Sequence, residues 1–190
     1  MTYVKASVRR PAGNPGNGIQ PKDQLVIYDV DDILSFPQRN EAGVVIEDDI
    51  VMKAGRYAIG IYLTPGTAEI SSNSDGETDA EGYTPSVKFN HPGNEQEIRE
   101  FKTNWLSKKC IVVLRYCSGK PADLIGTPCN PCKLSVSYTG SNESNTNELT
   151  FTQISKGDDI AIYRGTDTLE EPVAVVEAGA TDIDYQTDGQ

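Results

Sequence analysis

A mainly β fold, a sandwich or barrel with one flanking α-helix, is what the chain predicts. Three observations carry it. Short runs rich in Val, Ile, Thr and Tyr recur along the sequence, turn signals of Gly, Pro and Asn separate them, and a single segment has helical apolar periodicity. At 190 residues with a 37% apolar fraction, length favours one domain with a sizeable core.

The elements follow in order. Tyr3–Val8 alternates and is followed by Arg10–Pro21, which holds three Pro and three Gly and reads as an extended arm. Leu25–Val30 is a strand by its β-branched and aromatic content. Val44–Ile46 and Ile50–Met52 flank Asp48-Asp49, and Tyr57–Leu63 carries alternate Ile and Leu on one face. Thr64-Pro65-Gly66-Thr67 is a turn, with Pro presetting one central φ and Gly accepting a positive one. Ser71–Pro85 is polar almost throughout and reads as a long loop. Thr84–Asn90 resumes a strand.

After a His91-Pro92-Gly93 turn, Asn94 stands as a helix N-cap with Glu97 at the capping-box position. Ile98, Phe101, Trp105 and Leu106 share one helical face, and Lys108 and Lys109 suit the dipole of the last turn. Strands are predicted again at Cys110–Cys117, Cys132–Tyr138 and Glu148–Ser155, with Thr139–Asn147 as a hairpin loop. Asp159–Arg164 and Val173–Val176 complete the set.

Charge is unevenly distributed. The formal net charge is −11, and after Lys156 nine acidic residues face Arg164 alone. The first 22 residues carry Lys5, Arg9, Arg10 and Lys22 with no acid. Strong acidity argues against wrapping a phosphate backbone, whose affinity comes from Lys and Arg. No apolar run approaches a membrane span, so no membrane segment is expected. Met1–Lys5 lacks an apolar h-region, which predicts synthesis without a secretory signal, in a cytoplasm where thiols stay reduced.

No catalytic set emerges. Cys129-Asn130-Pro131-Cys132 is a CxxC, but it precedes a strand-like run, whereas a redox pair needs its first Cys at a helix N-terminus. Cys110 and Cys117 fall on opposite faces of a strand, which disfavours a four-thiolate zinc site. All four cysteines read best as small packed hydrophobes. His91, the single histidine, reads as a turn or surface residue. Asp29, Asp31, Asp32, Asp48, Asp49, Asp158 and Asp159 lack a calcium-loop spacing and read as solvated turn residues. The expectation is a non-enzyme with no catalytic residue, no cofactor and no metal.

Several blocks carry a resemblance: Val26-Ile27-Tyr28-Asp29-Val30-Asp31-Asp32, Ala54-Gly55-Arg56-Tyr57-Ala58-Ile59-Gly60-Ile61-Tyr62, the His91-Pro92-Gly93-Asn94 entry to the helix, and Gly126-Thr127-Pro128-Cys129-Asn130-Pro131. In order and content, from about Tyr3 to Gly165, they resemble tail tube proteins of phages infecting Bacteroidota. The resemblance implies a tail-tube-like β domain over residues 1–165, with an N-terminal arm at about 10–21 and a long polar loop at about 71–85 that reaches a neighbour. Residues 166–190 would be an acidic C-terminal extension of the same domain.

It further implies a homo-oligomer of hexameric rings stacked into a tube, contact with other virion tail proteins, and DNA passing through the lumen without specific binding. The place would be the virion tail, after synthesis in the host bacterial cytoplasm. An acidic lumen would repel phosphate. The basic arm and acidic C-terminal segment could pair between subunits in a head-to-tail contact. Within structural proteins the alternatives are another tail or head–tail connector component, or the tube of a contractile injection system. In other classes they are a soluble β-sandwich glycan-binding module using Tyr57, Tyr62, Tyr116, Tyr138 or Tyr163, and an enzyme using clustered acids or a metal.

Overall fold

Two strands buried on both faces organise the molecule. In the computed structural model, which describes residues 5–13, 16–117 and 119–169, β1 (Pro21–Asp29) pairs antiparallel with β8 (Cys110–Tyr116), Leu25 opposite Leu114 and Asp29 opposite Cys110. Leu25-Val26-Ile27-Tyr28 and Cys110-Ile111-Val112-Val113-Leu114 are all buried. An unbroken apolar run rather than an alternating one is the mark of a strand covered on both sides.

Around this pair lie β5 (Ile59–Tyr62) on β1 and β9 (Ala122–Ile125) on β8, then β12 (Ala161–Tyr163) and β3 (Val45–Ile46), the last pairing in parallel. A small separate sheet joins β2 (Ile33–Ser35) to β4 (Val51–Met52).

The second layer is a four-stranded antiparallel ribbon, β6–β7–β11–β10, made of β6 (Glu69–Asp75), β7 (Gly82–Pro92), β11 (Asn145–Gln153) and β10 (Cys132–Gly140). One rung, Cys132 opposite Cys110, ties it to the first layer and makes the whole a bent ten-stranded mixed sheet. Leu25, Ile27, Ile61, Val112 and Leu114 from one layer meet Val87, Phe89, Leu134, Leu149 and Phe151 from the other in the main core. A second core lies behind β1 and β8, where Val26, Tyr28, Ile111, Val113 and Tyr163 are covered by Ile46, Ile50 and Ala58. Among the described residues the architecture is thus mainly β, sandwich-like, with one α-helix.

The chain turns the corner at Gly126. Its φ is +92°, and a Cβ there would stand 3.1 Å from the Cys132 Sγ and 3.3 Å from the Cys110 carbonyl oxygen. Gly126→Ala should therefore cost about 2 kcal/mol, read as a lower denaturant midpoint. The Thr64–Thr67 turn forms as predicted, with Gly66 at φ +79° and the Thr67 N–H bonded to the Thr64 carbonyl.

The polar stretch 71–85 is not a loop. Ser71–Asp75 and Gly82–Pro85 are paired strand, and only 76–81 connect them. A ladder needs backbone groups, not apolar side chains. Here Ser71 and Ser86 hydroxyls bond across the rung at 2.9 Å, and Lys88 meets Glu69 at 3.3 Å. The Thr139–Asn147 loop likewise shrinks, because β10 and β11 pair out to Gly140 and Asn145.

The helix α1 (Gln96–Trp105) starts two residues after Asn94, with Glu95 as an N-cap that makes no side-chain bond. Asn94 is otherwise engaged: its Oδ1 accepts from Lys102 Nζ at 2.9 Å, and its carbonyl from Arg99 Nε at 2.7 Å. Ile98 is buried, and Phe101 and Trp105 stack at 5.7 Å against the main core. Leu106 is 55% exposed. Lys108 and Lys109 lie beyond the helix, and Lys108 forms an ion pair with Asp29. Val173–Val176 and most of the C-terminal extension lie outside the described residues.

Candidate functional site: an open-edged polar sheet face

The ribbon alternates cleanly. Val87, Phe89, Leu149, Phe151 and Leu134 point into the core, so their neighbours form an outer face. One rung of that face reads Glu69, Lys88, Thr150, Ser135; another reads Ser71, Ser86, Thr152, Lys133. Further along stand Asn90, Glu148 and Ser137, then Thr146 and Thr139. Only Pro92, opposite Thr146 at the end of β7, interrupts these rungs with an apolar side chain. Glu69 and Glu148 balance Lys88 and Lys133, so the face is neutral and rich in hydroxyls.

Both lateral edges of the ribbon are open among the described residues. β6 pairs only with β7, and β10 beyond Cys132 pairs only with β11. Edges this long are association sites unless covered. Because the four strands alternate in direction, β6 and β10 run opposite ways.

The acidic residues that the sequence offers for chemistry are dispersed. Asp29 Oδ1 accepts the Asp31 N–H, Asp32 pairs with Arg56 at 3.4 Å, and Asp49 accepts the Thr166 N–H at 2.7 Å. Asp158 lies 3.9 Å from Arg39, and Asp159 accepts the Ile160 N–H. Among the described residues, no three Asp, Glu, His or Cys side chains converge to hold a metal ion.

His91 is not in a turn: it sits in β7 and meets the Tyr62 ring edge-on at 6.2 Å. Burial lowers its pKa below the ordinary histidine value. Of the tyrosines predicted to lie in strands, Tyr163 is fully buried and Tyr116 bonds its hydroxyl to Asp123, which leaves Tyr62, Tyr138 and Tyr57, the last ahead of β5 and outside any strand, exposed.

Cys129 and Cys117 are exposed, and Cys110 and Cys132 are buried. The CxxC straddles a reciprocal Thr127–Asn130 turn rather than a helix start. Burial pushes the Cys110 thiol up to about 12 and raises Cys132 as well. Folding therefore favours their neutral forms. The stability this confers is complete below the unfolded thiol pKa of about 8.5 and is lost as pH rises toward the folded value. Denaturant midpoints should hold steady near neutrality and fall from about pH 9 to 11, with a shallower fall in Cys110→Ala.

No protein-family model matches the chain, and neither a curated protein nor a solved structure is detectably similar to it. No helix among the described residues is long and apolar enough to cross a membrane.

Sequence reading misses one polar centre. Asp167 accepts the Tyr28 hydroxyl at 2.6 Å and pairs with Arg115, whose guanidinium also bonds the Gly165 carbonyl at 2.7 Å. With the Ala58 N–H donated to the Thr168 carbonyl, this ties 165–169 to the second core. In the sequence Asp167 looks like one more acid in an acidic segment; only its partners distinguish it.

Proposed function

We propose that this chain is a self-assembling structural subunit of the phage tail tube type, in which the polar ribbon faces a channel and its two open edges join neighbouring copies. The observation that supports it most is the pairing of a solvated, neutral face with two unpaired edges of opposite direction. Under rotational symmetry, β6 of one copy meets β10 of the next in antiparallel sense, so the ring closes without a mismatched seam. A hexameric ring of four strands per copy, tilted by about 40° as barrel strands are, has a circumference of roughly 150 Å and a bore of roughly 48 Å between backbones. That leaves room for a nucleic acid duplex between the inward side chains.

The face differs from an acidic lumen. Its carboxylates and ammoniums balance, and passage without sticking then rests on the lack of excess Lys and Arg to hold phosphate. The acidic excess lies elsewhere on the chain. In this reading the β6–β7 hairpin, not a loop, takes the part of the element that reaches a neighbour.

Negative-stain electron microscopy of the purified chain, with its mass in solution, tests the reading. Rings or tubes with a central channel are expected. A monomer at every concentration and salt would remove it and raise a β-sandwich binding module in its place. A second test addresses the face itself. Ser135→Lys with Thr150→Lys sets like charges opposite each other beside Lys88 and should cost about 1 kcal/mol, leaving the chain folded. It should make assembled protein bind duplex DNA with steep salt dependence in a mobility-shift assay. Tubes that still ignore DNA would mean that this face does not line the channel.

A further inference from the structure

Cys110 and Cys132 are directly opposite each other on the single rung that joins the two layers. We propose that they form a latent intrachain disulfide, a modification site that closes when the folded chain meets an oxidising medium. Residues directly opposite in an antiparallel pair have Cα atoms about 4.5–5.5 Å apart. That lies inside the range disulfides require, about 4.4–6.8 Å.

Both side chains enter the same core and are 1% and 0% exposed. The Cys110 thiol already leans across the rung, donating to the Cys132 carbonyl at 3.4 Å. Gly126 leaves open the space beside the Cys132 sulfur that any side chain would fill. Cys117 and Cys129 are exposed and do not share this core.

The chemistry is ordinary thiol–disulfide exchange. A Cys thiolate attacks an external disulfide such as oxidised glutathione, releasing one glutathione thiol. The second cysteine then displaces the other, so one S–S bond forms in the protein and one is reduced in the oxidant. Two protons leave the cysteine thiols and two appear on glutathione. Because both thiols are buried, attack waits on local opening of the corner. In a reducing medium the pair remains two packed thiols; in an oxidising one it closes slowly and staples one layer to the other. This inference does not depend on the tube reading.

The test uses the full chain with Cys117→Ser and Cys129→Ser, so that one pair remains. Refolding in glutathione redox buffers removes the problem of access. The oxidised fraction is read from mass, since the disulfide is lighter by two hydrogens, and from non-reducing electrophoresis. The folded chain should hold the disulfide at least about tenfold more favourably than the same chain in denaturant.

The oxidised form should also melt at a higher temperature than the reduced form. Peptide mapping of the wild-type chain after oxidation should give the Cys110–Cys132 link even if the double variant does not fold. An oxidised fraction no greater in the folded than in the denatured state would overturn the proposal. So would a wild-type link between Cys129 and Cys132.

Discussion

Asp167→Ala should lower the unfolding free energy by about 3 kcal/mol, among the largest single losses available outside the apolar core. The carboxylate is 6% exposed and its partner Arg115 28%. Removing it leaves the Tyr28 hydroxyl without its acceptor and the Arg115 cation on a half-buried face. The Asp167 contact holds the guanidinium above its ordinary pKa. That support goes with the carboxylate, but a guanidinium stays protonated at neutral pH without it, so the charge persists unpaired. Arg115 keeps its bond to the Gly165 carbonyl and its place 5.5 Å from the Tyr163 ring, which is why the loss is not larger.

Two comparisons make the denaturant titration decisive. Asp158→Ala, in a pair 3.9 Å long with a 76% exposed carboxylate, should change little. Asp167→Leu combined with Arg115→Met should recover most of the loss, because a buried ion pair replaced as a pair is near neutral. Equal losses from Asp158→Ala and Asp167→Ala would show that 165–169 are not held by this network.

Phe151→Ala is expected to cost about 4 kcal/mol. Phe151 is fully buried in β11 and stacks on Phe89 of β7 at 6.3 Å, with the rings 13° from parallel. Its ring sits where the ribbon meets β1 and β8, so deletion opens a cavity that two paired sheets cannot easily collapse to fill. Val136→Ala, at a half-buried position of the same core, should cost distinctly less. If the two substitutions lower the denaturant midpoint equally, the ribbon is not packed on the first layer through Phe151.

What the sequence discloses depends on where side chains have to be apolar. The doubly buried strands are legible as Leu25–Tyr28 and Ile111–Leu114 because burial on both faces leaves no room for polar residues. The helix is legible in Ile98, Phe101 and Trp105 because one face must be apolar. Ser71–Asp75 is not legible, since past Ile70 these residues are at most half-buried and hydroxyls serve as well as methyls.

The helix start departs from expectation for a similar reason. Asn94 has the capping side chain, but Lys102 reaches it first. The polar face itself has no signature beyond alternation, and its meaning lies in open edges that only pairing reveals. Asp167 is invisible in the sequence because its partners Tyr28 and Arg115 are distant along the chain.

That distance has a consequence for how the chain comes to be folded. Tyr28 and Asp167 are 139 residues apart, and Arg164 reaches Glu47 across 117. The second core thus takes its covering layer from the first third of the chain and its last strand, β12, from near the end. During synthesis the segment carrying Ile46, Ile50 and Ala58 lacks its last partner until Tyr163 has emerged. Long-range pairing of this kind makes for slow, late folding and a long interval with sticky strands uncovered. Yield in a cell should therefore depend on chaperone capacity and temperature during translation more than on the stability of the finished molecule.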